Sequence, residues 1–170
     1  DYVMFFTNFG RTYRLKCYEI PEGSRTAKGT NVANLLPIMP DEKVTSMIKV
    51  PAFEDDKYLV MVTKGGVIKR TLLSAYNTAR KGGLIAIDLD DGDELAWVSV
   101  TDGETELLVA TKKGMAIRFS ETDVRAVGRA ARGVKAITLR EGDVVVGMSP
   151  VSSEKMVLTV SETGYGRLSE

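Results

Sequence analysis

Four short apolar runs along the chain each close on a polar turn that ends in glycine: Tyr2 to Gly10, Tyr58 to Gly66, Glu106 to Gly114 and Met156 to Gly164. The closing glycines lie 56, 48 and 50 residues apart, which is a repeat with a period near 50 residues. After each glycine comes a second β-rich run with a cation at its third or fourth place: Arg14, Lys69 with Arg70, Arg118 and Arg167. Glycine at a positive-φ position between two such runs predicts a β-hairpin. A cation-rich, glycine-containing segment follows in Arg25 to Gly29, Arg80 to Gly83 and Gly128 to Lys135. Each leads into an apolar run that predicts a third strand: Val32 to Ile38, Leu84 to Leu89 and Val134 to Leu139. Turns marked by the acids Glu42, Asp93 and Asp143 then open a fourth strand in Met47 to Val50, Trp97 to Val100 and Val146 to Met148.

Units of four strands and 40 to 50 residues, repeated without long helices, are the mark of an all-β, propeller-like fold, because a lone unit cannot bury both sheet faces. The repeats fall at about 2–57, 58–105, 106–155 and, in part, 156–170. The expectation is a single domain holding about three and a half blades of an incomplete ring. Ser74 to Thr78 and Ser120 to Ala126 predict short helical turns, the latter with capping side chains. Trp97, Met47 and Met148, all on fourth strands, are expected in the packing between blades.

Composition narrows the chemistry. With 170 residues and 44% apolar content the chain builds one ordinary core. No apolar run reaches the roughly 20 residues that span a bilayer, so a cytoplasmic location is expected. Asp1-Tyr2-Val3 is neither a start methionine nor a signal peptide, as expected of a piece of a longer protein. Cys17 is the only cysteine and histidine is absent. An intrachain disulfide, a four-thiolate zinc site and the Ser-His and Cys-His nucleophile pairs are therefore excluded. Asp90-Asp91-Gly92-Asp93 lacks the spacing and terminal glutamate of an EF-hand loop, so no metal is expected.

The zero net charge conceals segregation. Lys64 to Lys81 holds five cations and no acid, while Asp88 to Glu106 holds eight acids and no base. Aligned by repeat, the cations recur at matching places: Arg11, Arg14, Arg25 and Lys28, then Lys69, Arg70, Arg80 and Lys81, then Arg118, Arg129, Arg132 and Lys135. Positive charge presented at intervals around a rim suits duplex DNA, since each neutralised phosphate releases condensed counterions whatever the base sequence. Small residues beside the cations let the backbone approach phosphate closely.

Several segments also resemble a known family, the C-terminal DNA-wrapping domain of the bacterial DNA gyrase A protein. They are Phe6 to Arg14, Glu22 to Gly29, Asn34 to Ile38, Lys64 to Thr71, Asp91 to Leu95, Val124 to Gly128 and Gly164 to Arg167, in the family's order through the whole chain. The resemblance implies a β-pinwheel whose blades exchange a strand with a neighbour, and a basic rim that bends double-stranded DNA for ATP-dependent negative supercoiling. It implies no catalytic residue and no cofactor in this chain, with ATP and magnesium held by other domains of the parent. It further implies a second gyrase A protein and the gyrase B subunit as partners, no membrane, and a nucleoid-associated place in the cytoplasm. The glutamine-arginine-arginine-glycine-glycine-arginine-glycine box that separates gyrase from topoisomerase IV does not occur in these residues. The equivalent domain of topoisomerase IV, or a protein-interaction propeller fragment, is the alternative.

Overall fold

The computed structural model describes residues 1–78, 80 and 82–170. The strands are β1 (Tyr2–Thr7), β2 (Arg11–Lys16), β3 (Val44–Val50), β4 (Tyr58–Thr63), β5 (Val67–Leu72), β6 (Leu84–Ile85) and β7 (Leu95–Thr101), followed by β8 (Glu106–Thr111), β9 (Ala116–Ser120), β10 (Val134–Lys135), β11 (Val145–Val151), β12 (Val157–Val160) and β13 (Gly166–Ser169). Each apolar run forms one hairpin with the run after it, and the turn glycines Gly10, Gly66, Gly114 and Gly164 all have φ between 70° and 86°. Such backbone is strained for any residue that carries a Cβ.

The sheets run β3-β1-β2-β6, β10-β5-β4-β7, β11-β8-β9 and β12-β13. The order shows strand exchange. β6 belongs in sequence to the second repeat but pairs with β2 of the first, Thr12 opposite Leu84, and β10 of the third pairs with β5 of the second, Ile68 opposite Val134. The fold is an all-β set of blades in an unclosed arrangement. The third sheet has three strands and the fourth is a hairpin.

Exchange also shortens the third strands. Only Leu84–Ile85 and Val134–Lys135 join a ladder. The apolar residues after them drop between the blades instead: Ala86, Ile87 and Leu89 into the first inter-blade core, Ala136, Ile137 and Leu139 into the second. The predicted strand Val32 to Ile38 is not a strand at all. Val32–Asn34 forms a 3-10 turn, and Leu36 is buried with Phe5 and Tyr13 on the segment's own blade. Val32, Leu35 and Ile38 pack beside it, so the segment's apolar side chains cover the face of the first sheet that carries Phe5 and Tyr13.

The two inter-blade cores explain why the hairpin strands read as unbroken apolar runs. Along β4, Leu59 and Met61 face the first blade with Met4 and Phe6, while Val60 and Val62 face the third with Leu107 and Val109. A strand covered on both faces needs no polar alternation. Trp97 and Met148 pack in the second core as expected. Met47 does not: it is 65% exposed. Its register equivalent, Val98, is buried against the first blade, whereas the corresponding side of the first blade has no blade before it in this chain.

The marker acids tie each hairpin turn to its fourth strand. Asp93 Oδ1 accepts the Gly65 and Glu94 N–H groups at 2.8 and 2.7 Å, and Asp143 Oδ1 accepts those of Lys113 and Val144 at 3.0 and 2.9 Å. Burial opposes ionisation of Asp143, yet the hydroxyl of Thr111 and these N–H donors outweigh it and lower its pKa. Glu42, with its longer arm, accepts from the Thr7 and Tyr13 hydroxyls at 2.7 and 3.0 Å. The expected helical turns appear at Leu73–Tyr76 and Glu121–Asp123, the second capped by Ser120, whose hydroxyl accepts from the Thr122 N–H.

Candidate nucleic-acid interface

Strand order fixes where the cations lie. The fourth strands are in contact with one another at the inner edge, where Thr45 Oγ1 donates to the Leu95 carbonyl at 3.1 Å and Ser46 Oγ to the Val98 carbonyl at 3.5 Å. The exchanged strands β6 and β10 occupy the opposite, outer edge of the first two sheets, with Ile85, Val134 and Lys135 exposed. The basic segments of the second and third repeats each run directly into an exchanged strand, whereas Arg25 to Gly29 runs into the 3-10 turn Val32–Asn34. Strand exchange therefore places the basic segment of one repeat on the outer edge of the blade before it.

At the edge of the second blade the structure brings together Arg129, Arg132 and Lys135. The Arg129 guanidinium donates to the Ile85 carbonyl at 2.7 Å, and Arg132 pairs with Asp90 at 2.5 Å. The Asp88 N–H donates to the Ala131 carbonyl at 3.3 Å, so the loop is stitched to the exchanged segment of the second repeat. The basic loop of the third repeat thus lies against residues 85–90 of the second. At the edge of the first blade, Arg80 is exposed and Arg11 donates to the Gly83 carbonyl at 3.2 Å and to Met39 Sδ at 3.1 Å. Arg25 and Lys28 are exposed on the loop between β2 and β3. Lys81 lies outside the described residues.

Four of the expected rim cations are committed elsewhere. Lys69 is 1% exposed, and its ammonium donates to the Ala86 carbonyl at 2.6 Å and to the Arg129 carbonyl. Burial, with the Arg129 charge adding to it, pushes its pKa down to about 8. Arg14 and Arg70 hold matching places on β2 and β5 and serve as clamps between blades. The Arg14 guanidinium lies 4.6 Å from the Tyr2 ring centre and donates to Asn77 Oδ1 and the Thr78 carbonyl of the next repeat. The Arg70 guanidinium lies 4.6 Å from the Tyr58 ring centre and 3.7 Å from the buried carboxylate of Glu121, again in the next repeat. Arg118 has Glu106 where the other two have tyrosine, and forms an exposed ion pair with it. These three positions are equivalent, as the repeat spacing predicts, but their side chains point along the sheet to a neighbour.

Arg125, exposed beside the outer edge of the second blade, was not among the expected rim cations. Arg125 precedes Ala126 and Val127, which lie beside Arg70 on the outer edge of β5 through a parallel bridge and a 2.9 Å hydrogen bond. It stands in the stretch Val124 to Gly128 yet is not followed by glycine, so a search for cation-glycine pairs passes over it.

Residues 1–51, 57–102 and 105–152, most of the chain in three consecutive stretches, match the family described as DNA gyrase C-terminal domain, beta-propeller. The chain belongs to this family. It is 44% identical to the DNA gyrase A protein of Haloquadratum walsbyi over 98% of its own length and 20% of that protein, and 53% identical to that of Clostridium acetobutylicum over 78% and 16%. The chain thus spans about a fifth or less of the curated relatives it matches. Among solved structures it is similar to the C-terminal domain of DNA topoisomerase IV, with TM-score 0.91, 32% identity, and coverage of 99% of this chain and 53% of that one. It is also similar to a DNA gyrase A C-terminal domain, with TM-score 0.81, 30% identity, and coverage of 99% and 54%. The family's beta-propeller description agrees with the order of the sheets.

Proposed function

We propose that this chain is a non-catalytic DNA-binding and DNA-bending domain of a gyrase A protein, and that duplex DNA follows the outer edges of successive blades. The supporting observation is the exchange itself, which sets the basic segments of the second and third repeats on the outer edges of the first and second blades. Arg80 stands at the first blade, and Arg125, Arg129, Arg132 and Lys135 stand at the second. Phosphate contacts at that spacing neutralise backbone charge without reading bases. Smooth bending of a short duplex site costs on the order of 1 to 6 kcal/mol, so contacts from several blades together are needed to offset it. In this reading ATP hydrolysis and magnesium-dependent cleavage belong to other parts of a gyrase built from two A proteins together with B subunits. Its place is the nucleoid of the cytoplasm.

The experiment is a salt titration of duplex binding with Arg129→Glu and Arg132→Glu combined. Loss of two phosphate contacts lowers the slope of log K against log salt by about 2. An unchanged slope and affinity refutes the rim assignment and favours a protein-interaction surface. The equivalent domain of topoisomerase IV is the second reading, favoured by the TM-score of 0.91. The 44% identity to a gyrase A protein over nearly the whole chain, against 32% for the topoisomerase IV structure, supports gyrase. Negative supercoiling by the parent enzyme separates the two.

A further inference from the structure

The Gly128 to Arg132 loop is anchored from above by side chains that phosphate would also seek. Arg129 rests on the Ile85 carbonyl and Arg132 on Asp90, and both guanidinium groups must give up or share these partners to engage DNA. From beneath, Lys69 grips the Arg129 main chain, joining its carbonyl to that of Ala86. This anchor uses no group that contacts phosphate.

Packing alone does not call for a lysine here. The matching place on β2 is Tyr13, also buried, and on β9 Ile117, which is exposed, so the buried place in the first blade is filled by an aromatic residue. A buried ammonium is costly unless its donors are well used. Lys69 uses them to bridge two repeats.

We propose that Lys69 is a positioning residue for the rim: it fixes the main chain of the Gly128 to Arg132 loop, so that Arg129 and Arg132 exchange their resting partners for phosphate while the loop stays in place. The inference rests on the DNA-binding reading for its consequence, though the fastening itself does not. Two titratable or charged groups face the ammonium, the Arg129 guanidinium and the Tyr76 hydroxyl, which shares the Ala86 carbonyl at 3.0 Å. Arginine stays charged, and burial holds the Tyr76 pKa above its ordinary value, so neither changes charge between pH 7 and 9.

The test uses the 170-residue chain, with amide hydrogen exchange of residues 128–132 at one fixed pH and duplex affinity at fixed low salt. Lys69→Met is expected to speed exchange in this loop at least about tenfold while β4 and β8 stay protected. It is expected to weaken duplex binding by about five- to tenfold. In an Arg129→Ala, Arg132→Ala background the same change is expected to cost no further affinity, because it acts through those residues. An equal loss in that background shows a direct charge effect and overturns the proposal, as does an unchanged exchange rate. If Lys69→Met does not fold, the wild-type chain decides: amides of residues 129–132 that exchange as fast as those of an unstructured peptide show that the loop is not held, and overturn the proposal. If the wild-type chain binds no duplex, the DNA reading fails, while loop exchange still judges the fastening.

Discussion

Replacing Gly133 with alanine should drive the exchanged strand off the second blade. A Cβ at this position would sit 2.6 Å from Val67 Cγ1 and 2.9 Å from the Ile68 carbonyl carbon, and closer still to the carbonyl oxygen. These backbone atoms belong to β5, which is held on its other side by β4, so β10 must move. The shift breaks the pairing of Val134 with Ile68 and of Lys135 with Val67. Overpacking of this kind costs about 1–3 kcal/mol, and each lost backbone hydrogen bond adds about 1 kcal/mol. A total of about 2–5 kcal/mol is a large part of the roughly 5–15 kcal/mol that holds a domain together. Gly128, five residues earlier in the same basic loop, is the control: nothing lies within 4 Å of its notional Cβ and its φ is not positive. Gly128→Ala should therefore change stability by less than about 0.5 kcal/mol. Equilibrium urea unfolding of the two variants beside the parent chain reads both values. If the two variants unfold within about 0.5 kcal/mol of each other, the close approach of the exchanged strand is not what the glycine serves, and the steric reasoning is refuted.

Three further perturbations follow from the packing. Glu121 is fully buried and accepts from Thr101 Oγ1 at 2.7 Å, from the Gly103 and Thr105 N–H groups at 2.9 and 2.8 Å, and faces Arg70. Glu121→Ala should cost about 3–5 kcal/mol in urea unfolding, and Glu121→Gln less, since the amide keeps one acceptor oxygen. Val98→Ala should destabilise by about 1–3 kcal/mol while Met47→Ala, at the equivalent but exposed place, should fall within about 0.5 kcal/mol of the parent. Lys69 gives a pH signature of definite sign. Its folded pKa of about 8 lies below the 10.5 of the free side chain, so between those values the unfolded chain binds more protons and stability rises with pH. Urea unfolding of the parent from pH 7.5 to 10 should show this rise relative to Lys69→Met.

The period near 50 residues, the positive-φ turn glycines and the fourth strands were legible because each depends on local chemistry. The chain's own spacing carried them. Two features were not legible in the local pattern for a common reason, although the family resemblance implied the first. Strand exchange joins residues such as Thr12 and Leu84 across a repeat boundary, and no local pattern states which sheet a two-residue strand will extend. Likewise the exposure of Met47 depends on what packs on the first blade, and Val32 to Ile38 departs from the later third strands in carrying Pro37, which offers no N–H to a ladder. Charge was the least transparent signal. Glu42, Asp93 and Asp143 were legible as markers of the turns before the fourth strands, but nothing in the pattern stated that each of them, and Glu121, is spent on hydroxyls or N–H groups within the fold.

The cations divide by geometry in a way that repeat alignment cannot express. Arg14 and Arg70 sit within the hairpin strands β2 and β5, where the guanidinium lies over the tyrosine that opens the same hairpin and still reaches the connector of the next repeat. Arg129 and Arg132 sit in a loop outside the ladder, where the side chain meets only a carbonyl or an exposed carboxylate. The first pair is held by stacking and by partners buried or shared between blades, so its release would loosen the assembly. The second pair can be exchanged for phosphate at small cost, because exposed ion pairs contribute about 0–1 kcal/mol. A rim that grips DNA therefore needs both kinds of arginine from one repeat unit: clamps that fix the angle between blades, and loop residues free to leave their partners. Substituting the clamps should alter how far DNA is bent more than how many phosphates are neutralised. Arg14→Leu is thus expected to change the bend angle of a bound duplex, read by end-to-end energy transfer, while leaving the salt slope within about 0.5 of the parent. A fall in slope by about 1 with the bend unchanged would instead assign Arg14 to phosphate.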